Sequence, residues 1–463
     1  MRSRPLLLLL TATVASVILL SGSRLDSPVS SQVRNGEIKQ PAPLKRKKYV
    51  NAQESEKIAE AFRKANKAFD KEDYKAGAEL LKTAYALNPE DDFIINMIAE
   101  SYAMVGDQSA LLLWLRRLLT VSPCFFHFPE TAASVLTSKQ YRDLAIAARA
   151  KEIRMHGSNV AFMLSETDLI PEGIAYDPRD RVFFLSSLHK RKIVRVRLRT
   201  RHRPPIVEDF TSEKQDGLYS TLGMKVDAAR RVLWVCSSAE SFMKGYSESD
   251  AGKASLFKYD LNTRKLIRKY ELGPNPRHLL NDIALNAEGD VFVTDTASGE
   301  IFTVMHEKDE LEIFIPAGRF ESPNGIAISN DGRKLFISDM PFGVYGVDLQ
   351  TKQSERLPQS VGISPSGSDG FYFYDNSLIG IINIVSARNG RVARFYLGAS
   401  AKAVTHAAVL DCNHPLYQWP TTGVVVGNSF FYIANSQFGT FNSEQRTFPQ
   451  KDLRKVAVMR LKL

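Results

Sequence analysis

Across the last three hundred residues, polar turns run into short stretches with apolar residues at alternate positions, the period of half-buried strands. One pattern recurs six times: a variable residue, then Gly (once Asp), then apolar-x-apolar. The copies are Glu172-Gly173-Ile174-Ala175-Tyr176, Leu222-Gly223-Met224-Lys225-Val226, Asn281-Asp282-Ile283-Ala284-Leu285, Asn324-Gly325-Ile326-Ala327-Ile328, Asp369-Gly370-Phe371-Tyr372-Phe373 and Thr422-Gly423-Val424-Val425-Val426. They start 50, 59, 43, 45 and 53 residues apart, a period that predicts a ring of six small sheets. A second apolar run follows each first one across a turn, at residues 182–185, 232–235, 291–294, 335–338, 378–382 and 430–434. Third and fourth runs, such as 301–305 and 312–315, complete the four strands of a propeller blade. At the C-terminus Ala457, Met459, Leu461 and Leu463 alternate with their neighbours up to the last residue. That leaves the sixth blade one strand short, and residues 159–164 are expected to supply it and close the ring without an exposed edge.

Between Glu54 and Pro123 the apolar spacing changes to that of helices. Pro89 and Pro123 lie 34 residues apart and each closes a helical stretch. Tyr74, Gly77, Leu81 and Ala84 precede the first; Ala99, Tyr102, Gly106, Leu111, Leu115 and Leu118 precede the second. The spacing resembles the tetratricopeptide repeat, with Leu111 where a small residue is usual. Two repeats are too few to stand alone, so they should lean on a further helix over 139–153. Phe125, Phe126 and Phe128 are expected in the same packing. This helical segment is either a groove for a protein partner, through residues 54–123, or a cap packed on the ring. Upstream, Arg2 and Arg4 precede an apolar run over residues 6–20 and the small residues Ser21-Gly22-Ser23, the form of an export signal. The run is short for a membrane span. Cleavage and release is the expectation, and an N-terminally membrane-anchored form, the one route to membrane contact, is its alternative. The division expected is 1–23 signal peptide, 24–53 basic linker, 54–156 helical domain and 157–463 propeller.

At 463 residues the chain is long enough for a ring plus a smaller domain, and 44% apolar with 24% charged residues is ordinary for a globular protein. The net charge of +10 is spread out except at Lys45-Arg46-Lys47-Lys48. It therefore argues for a solvated basic surface and against a nucleic-acid partner. The three cysteines (Cys124, Cys236, Cys412) lack metal-ligand spacing. Neither a zinc site nor a disulfide framework is expected, and the pairing considered is Cys236 with Cys412.

The first strand of each blade lies nearest the axis, so the residue at its head points at the mouth of the central channel. Those residues are Glu172, Leu222, Asn281, Asn324, Asp369 and Thr422. Four carry carboxylate or amide oxygens. Two carboxylates left unpaired in a narrow channel are costly. A hard divalent cation resolves the conflict, and an all-oxygen set (Glu172, Asn281, Asn324, Asp369) favours calcium. Four protein ligands leave positions for water or substrate oxygens. Asp369 could hold the ion and also orient or deprotonate a water, or attack directly. A second tier stands just after the second strands: Ser186, His189, Ser237, Asp295, Asp339, Asn383 and Asn435. Of these, Asp295, Asp339, Asn435 and His189 are the candidates for lining a substrate pocket, although a turn role serves the two aspartates equally and an exposed loop suits His189. Arg277 and His278 fall at the rim, and His406 and His414 in a long connection near it.

The stretches Asn281-Asp282-Ile283 leading to Val293-Thr294-Asp295-Thr296, and Ser322-Pro323-Asn324-Gly325 leading to Ile337-Ser338-Asp339, resemble the gluconolactonase/regucalcin (senescence marker protein) family. They are also similar to its relatives, the paraoxonases, diisopropylfluorophosphatases and strictosidine-synthase-like proteins. The resemblance covers about Pro171 to Leu463. It implies a six-bladed propeller with one calcium at the channel mouth, held by Glu172, Asn281, Asn324 and Asp369. It also implies hydrolysis of lactones or related esters, with Asp369 as general base or nucleophile. Sugar-lactone members carry an Arg two residues ahead of the Asn281 position; here it is Leu279, which argues against a sugar lactone. Paraoxonase-like members hold a second calcium through acidic residues near the first Glu; here Gly173 and Gly370 flank the ligands, so one ion is expected. The fold class expected is thus an all-β six-bladed β-propeller with a smaller N-terminal tetratricopeptide-like helical domain. The leading function is an exported, periplasmic or secreted, calcium-dependent hydrolase. The alternative is a non-enzymatic envelope scaffold with a structural calcium.

Overall fold

The structure, a computed structural model, describes residues 49–122, 132–151, 157–199, 203–340, 342–360, 363–365, 367–383 and 390–463. The signal expected over 1–23, most of the linker, and Phe125, Phe126 and Phe128 lie outside the described residues.

Alternation of apolar and polar positions produces six sheets. Their innermost strands are Ile174–Asp177, Ser220–Asp227, Leu280–Leu285, Pro323–Ile328, Ser368–Tyr374 and Gly423–Val426. Each packs against the next, and the sixth returns to the first. The result is a six-bladed β-propeller. In the sixth blade the outer strand is Ser158–Leu164, paired antiparallel with the C-terminal strand Val456–Lys462. The ring thus closes between the two ends of the β region, as the sequence required.

The glycine of the recurring pattern has a steric cause. A Cβ on Gly325 would overlap the carbonyl oxygen of Asp369 in the next blade, and one on Gly173 would overlap that of Leu222. Neighbouring innermost strands come so close at their heads that a side chain there has no room. In the third blade the position is filled by Asp282, whose carboxylate is buried.

The helical segment comprises Ala52–Phe69, Tyr74–Leu87, Asp92–Met104, Gln108–Val121, Ala132–Val135 and Ser138–Lys151. Side chains of Asn51, Asp73, Asp91 and Asp107 cap four of these helices by accepting first-turn N–H groups. The helices rest on the mouth end of the fourth and fifth blades. Phe62 meets Phe342 edge-on at 6.1 Å between ring centroids, and Arg356 donates to the Ser55 carbonyl. Arg391, which opens the third strand of the fifth blade, forms a fully buried fork with Asp92. One continuous apolar cluster runs from Ala59 and Leu115 through Phe342 to Phe395.

Two expectations need correction. Tyr49–Val50, expected in the linker, pairs with Gln359–Ser360, which continues onto the outer strand of the fifth blade; two short segments thereby cover an open sheet edge. Cys412 is disulfide-bonded, whereas Cys236 is free and buried. The Cys236–Cys412 pairing fails because the two belong to the second and fifth blades, on opposite sides of the ring.

Gly325→Ala should cost about 1–3 kcal/mol by overpacking. Gly273→Ala, where an added Cβ meets nothing within 4 Å, should be close to neutral; urea unfolding of both variants checks this. Arg391→Ala, which strands the buried Asp92 carboxylate, should cost about 3–5 kcal/mol. The double variant Arg391→Met, Asp92→Leu should recover most of that loss in the same assay.

Candidate functional site

The four oxygen-bearing head residues stand at the heads of their innermost strands. Glu172 is 4% exposed; its carbonyl accepts from the Thr421 and Thr422 hydroxyls of the sixth blade. Its Oε2 is buried and has no hydrogen-bond partner. Across the ring, in the fourth blade, Asn324 Oδ1 is likewise buried without a partner. The Asn324 carbonyl accepts from Thr294 Oγ1 at 2.7 Å, which fixes the strand from the neighbouring blade. Asn281 Nδ2 donates to Thr296 Oγ1 at 3.0 Å, leaving its oxygen for the channel. Asp369 is half-buried, and its Oδ2 accepts from Asn383 Nδ2 at 2.7 Å. The Asn324 side chain also favours the ionised form of Asp369. The remaining two heads are Leu222, buried in an apolar cluster, and Thr422.

Below the heads lie residues that sequence reasoning missed. Asp282 accepts from the Ile283 N–H at 2.8 Å and the Ile326 N–H at 3.5 Å. Lys225, from the second blade, reaches across the channel to the fifth, with Nζ 5.0 Å from the centre of the Tyr372 ring. The Tyr372 hydroxyl in turn accepts from the Gly423 N–H at 2.7 Å. The signal for Asp282 was present in the sequence: it is the one copy of the repeat without Gly.

Burial in this channel governs the ionisation of the acids. It raises Glu172 well above the usual carboxylate range, with the negative charges of Asp369 and Asp282 adding to the effect. Asp369 is pushed up to about 6 by burial, against the Asn383 hydrogen bond. Asp282 is raised by burial and held back by Lys225. The Lys225 ammonium is lowered by burial, which Asp282 opposes.

The second tier acts mainly as clamps. Asp295 accepts from the Leu279 N–H at 2.9 Å, and Asp339 from the Ser322 N–H at 2.7 Å; each bond fixes the backbone two residues ahead of a head residue. Ser186 Oγ accepts from Gly173 N–H at 2.6 Å, and Ser237 Oγ from Tyr219 N–H at 2.9 Å. Asn383 is the member of this tier that touches a head side chain. Asn435 is turned away: its amide bridges Lys455 O and Ala457 N–H. His189 is not an exposed loop residue; its Nδ1 bonds the Phe242 carbonyl at 2.8 Å and its ring packs on Phe448. His278, Asp295 and Glu300 bring potential ligand atoms within 4.8 Å of one another. They sit at strand ends of the third blade, however, and Asp295 is already taken up by His278 at 2.5 Å and by backbone N–H groups of residues 279, 297 and 298.

The axial set fits a divalent cation. All its donors are oxygens, and two of them, on opposite blades, are buried without a hydrogen-bond donor. Among the described residues, Glu172, Asp282 and Asp369 do not bring three carboxylate oxygens within 4.8 Å of one another. Both oxygens of Asp282 are occupied by backbone N–H groups. The candidate donors are therefore two carboxylates and two amides.

No protein-family model matches the chain, and no curated protein matches it. Solved structures similar to it include a calcium-binding protein, regucalcin, from Agrobacterium tumefaciens (14% identity, covering 65% of this chain and 93% of that one, TM-score 0.44). Others are the PQQ-bound aldose sugar dehydrogenase of Streptomyces coelicolor (12%, 65% and 98%, TM-score 0.43) and virginiamycin B lyase of Staphylococcus aureus (12%, 65% and 98%, TM-score 0.42).

An aspartate in an unfolded chain ionises near 4, and Asp369 near about 6 in the fold. Between those values the unfolded chain has released a proton that the fold keeps. The metal-free protein should therefore lose stability as pH rises from about 4 to about 6. Chemical unfolding in the presence of chelator, at pH 4.5 and 6.5, measures it; Asp369→Asn should make that slope shallower, the other buried acids keeping the remainder.

Proposed function

We propose that the chain is a calcium-dependent hydrolase of lactones or related esters, working at the channel mouth. The observation that carries this reading is the pair of partnerless buried oxygens, Glu172 Oε2 and Asn324 Oδ1, on opposite sides of one axis. Each unsatisfied buried acceptor costs about 1–3 kcal/mol. One ion between them satisfies both. Asn281 and Asp369 complete the protein's share of the shell and leave positions open. Calcium bound there would polarise an ester carbonyl and stabilise the charge developing on its oxygen.

The chain's own groups then supply the rest. Asn383 fixes the Asp369 carboxylate, so that it can orient and deprotonate a water or attack the carbonyl itself. Apolar residues line the opposite part of the mouth. Leu222 belongs to a cluster against which Leu279, Phe242 and Phe438 pack half-buried. Trp419, held at a φ of +68°, extends that wall to Phe438 at 6.2 Å. A wall of this kind suits an acyl chain or aryl group and offers nothing to the hydroxyls of a sugar. The helices packed on the fourth and fifth blades supply the facing wall. We place the protein outside the cytoplasm, on the apolar run over residues 6–20 and on the disulfide at Cys412.

Asp369→Asn should lower turnover of aryl esters and aliphatic lactones by on the order of a hundredfold or more, while calcium still raises the unfolding temperature. A calcium-loaded protein that hydrolyses nothing across an ester, lactone and phosphoester panel would instead establish the scaffold, with calcium only locking the blades.

A further inference from the structure

A cavity of about 280 Å³ lies between the helix Ala52–Phe69 and the mouth end of the fourth blade, and its lining is almost wholly polar. The helix contributes Glu56 and Arg63, about two turns apart and so on one face; Arg63 Nη2 donates to Glu56 Oε1 at 2.6 Å. The connection into the strand Pro323–Ile328 supplies Arg319 and Glu321. Asp339, Phe342 and Tyr345, all buried, form the floor. The fold uses some of these groups fully. Asp339 accepts the N–H of Glu321 at 3.2 Å and that of Ser322 at 2.7 Å. Others keep bonding capacity. Arg319 is anchored through Nε and Nη2 to Ser354 and rests over the Tyr345 ring, 5.3 Å from its centre, which leaves Nη1. The Tyr345 hydroxyl accepts from Arg356 Nη2 at 2.9 Å, and among the described residues its own proton has no acceptor. Arg63 has further N–H groups beyond the one given to Glu56. The Glu321 side chain is exposed and, among the described residues, makes no ion pair or hydrogen bond.

We propose that this cavity binds a small zwitterion of the α-amino-acid class, with Arg63, Arg319 and Tyr345 taking its carboxylate and Glu321 its ammonium. Charge decides between the candidates. A plain anion would gain the two guanidinium groups but meet Glu56, Glu321 and Asp339 as like charges. A plain amine would gain Glu321 but meet both guanidinium groups. A molecule carrying both charges, and no net charge, satisfies the unused donors and the unused carboxylate together. The volume suits a ligand smaller than a drug-sized molecule, and the polar lining favours an uncharged polar side chain over a large apolar one. The binding groups come from the helical segment and from the ring, so an amino acid held there would also join the two. This site goes beyond the proposed hydrolase reading and needs neither a metal nor the reaction.

Calorimetric titration of the full-length protein, in the presence of chelator, tests it. The probes are L-glutamine, L-asparagine, L-serine and L-threonine, each beside its deamino acid, which lacks the ammonium, and its decarboxylated amine, which lacks the carboxylate. At least one amino acid should bind and raise the unfolding temperature. Its two analogues should bind more weakly by on the order of tenfold or more. Glu321→Gln, a change at an exposed side chain, should abolish the preference for the amino acid over its deamino acid. Arg63→Met should weaken both by on the order of tenfold; Glu321→Gln keeps the proposal testable where Arg63→Met disturbs the helix. Binding of none of the four amino acids overturns the site. A deamino acid held as tightly as its amino acid, or a preference unchanged in Glu321→Gln, overturns the zwitterion assignment. Each of these results leaves the hydrolase reading standing, because that reading depends on the axial oxygens.

Discussion

The structure depends on how closely six strand heads can approach one axis. Where Gly173 and Gly325 stand, the next blade's carbonyl oxygen occupies the place a Cβ would need. That spacing holds the strand heads at Glu172 and Asn324 beside the axis. In the proposed site, the meeting of Glu172, Asn281, Asn324 and Asp369 would follow from this backbone packing. It needs no long side chains and no induced movement. The cost is that two carboxylates are carried into a desolvated centre, where the fold alone does not satisfy them.

The ring manages that cost with clamps reaching from second strands to first. Asp295 and Asp339 bind backbone N–H groups ahead of Asn281 and Asn324; Ser186 does the same at Gly173; Asn383 grips Asp369 directly. Other bonds cross between blades, such as Thr294 to the Asn324 carbonyl and Thr422 to the Glu172 carbonyl. Each of the four oxygen-bearing heads is therefore held by its own blade or its neighbour before any ligand arrives. Preorganised oxygen donors of this kind are what a hard cation requires, because no reorganisation energy is lost when it binds.

Much of this was legible in the chain. Strand alternation and a repeat of roughly fifty residues are local signals, and they gave the blades, the head positions and the closing strand at Ser158–Leu164. The rest depends on contacts that no local pattern encodes. Lys225 and Tyr372 occupy ordinary x positions of their repeats; their meeting follows only from the second and fifth blades being opposite in a ring of six. Asn435 shares its strand-end position with Asn383, yet a neighbouring backbone N–H and carbonyl at residues 457 and 455 take its amide. His189 reads as a loop residue in a basic run, but the Phe242 carbonyl and the Phe448 ring hold it in place. The Asp92–Arg391 fork joins residues 299 apart in sequence, beyond the reach of any periodicity.

That fork also explains why the mouth is not symmetric. A six-fold ring offers the same approach from every side until something is added to its rim. Here the helices cover the mouth end of the fourth and fifth blades. Phe242, Trp419, Phe438, Phe441 and Phe448, carried by connections of the second and sixth blades, build up the other side. The oxygen donors lie mostly in the third, fourth and fifth blades, whereas the apolar wall is carried mainly by the second and sixth. A molecule entering between the two walls meets an apolar surface on one flank and the oxygen cage on the other. In the proposed reaction, that division orients an ester before any chemistry begins: its hydrocarbon part is drawn to the aromatic side, and its carbonyl is left facing Asn324 and Asp369.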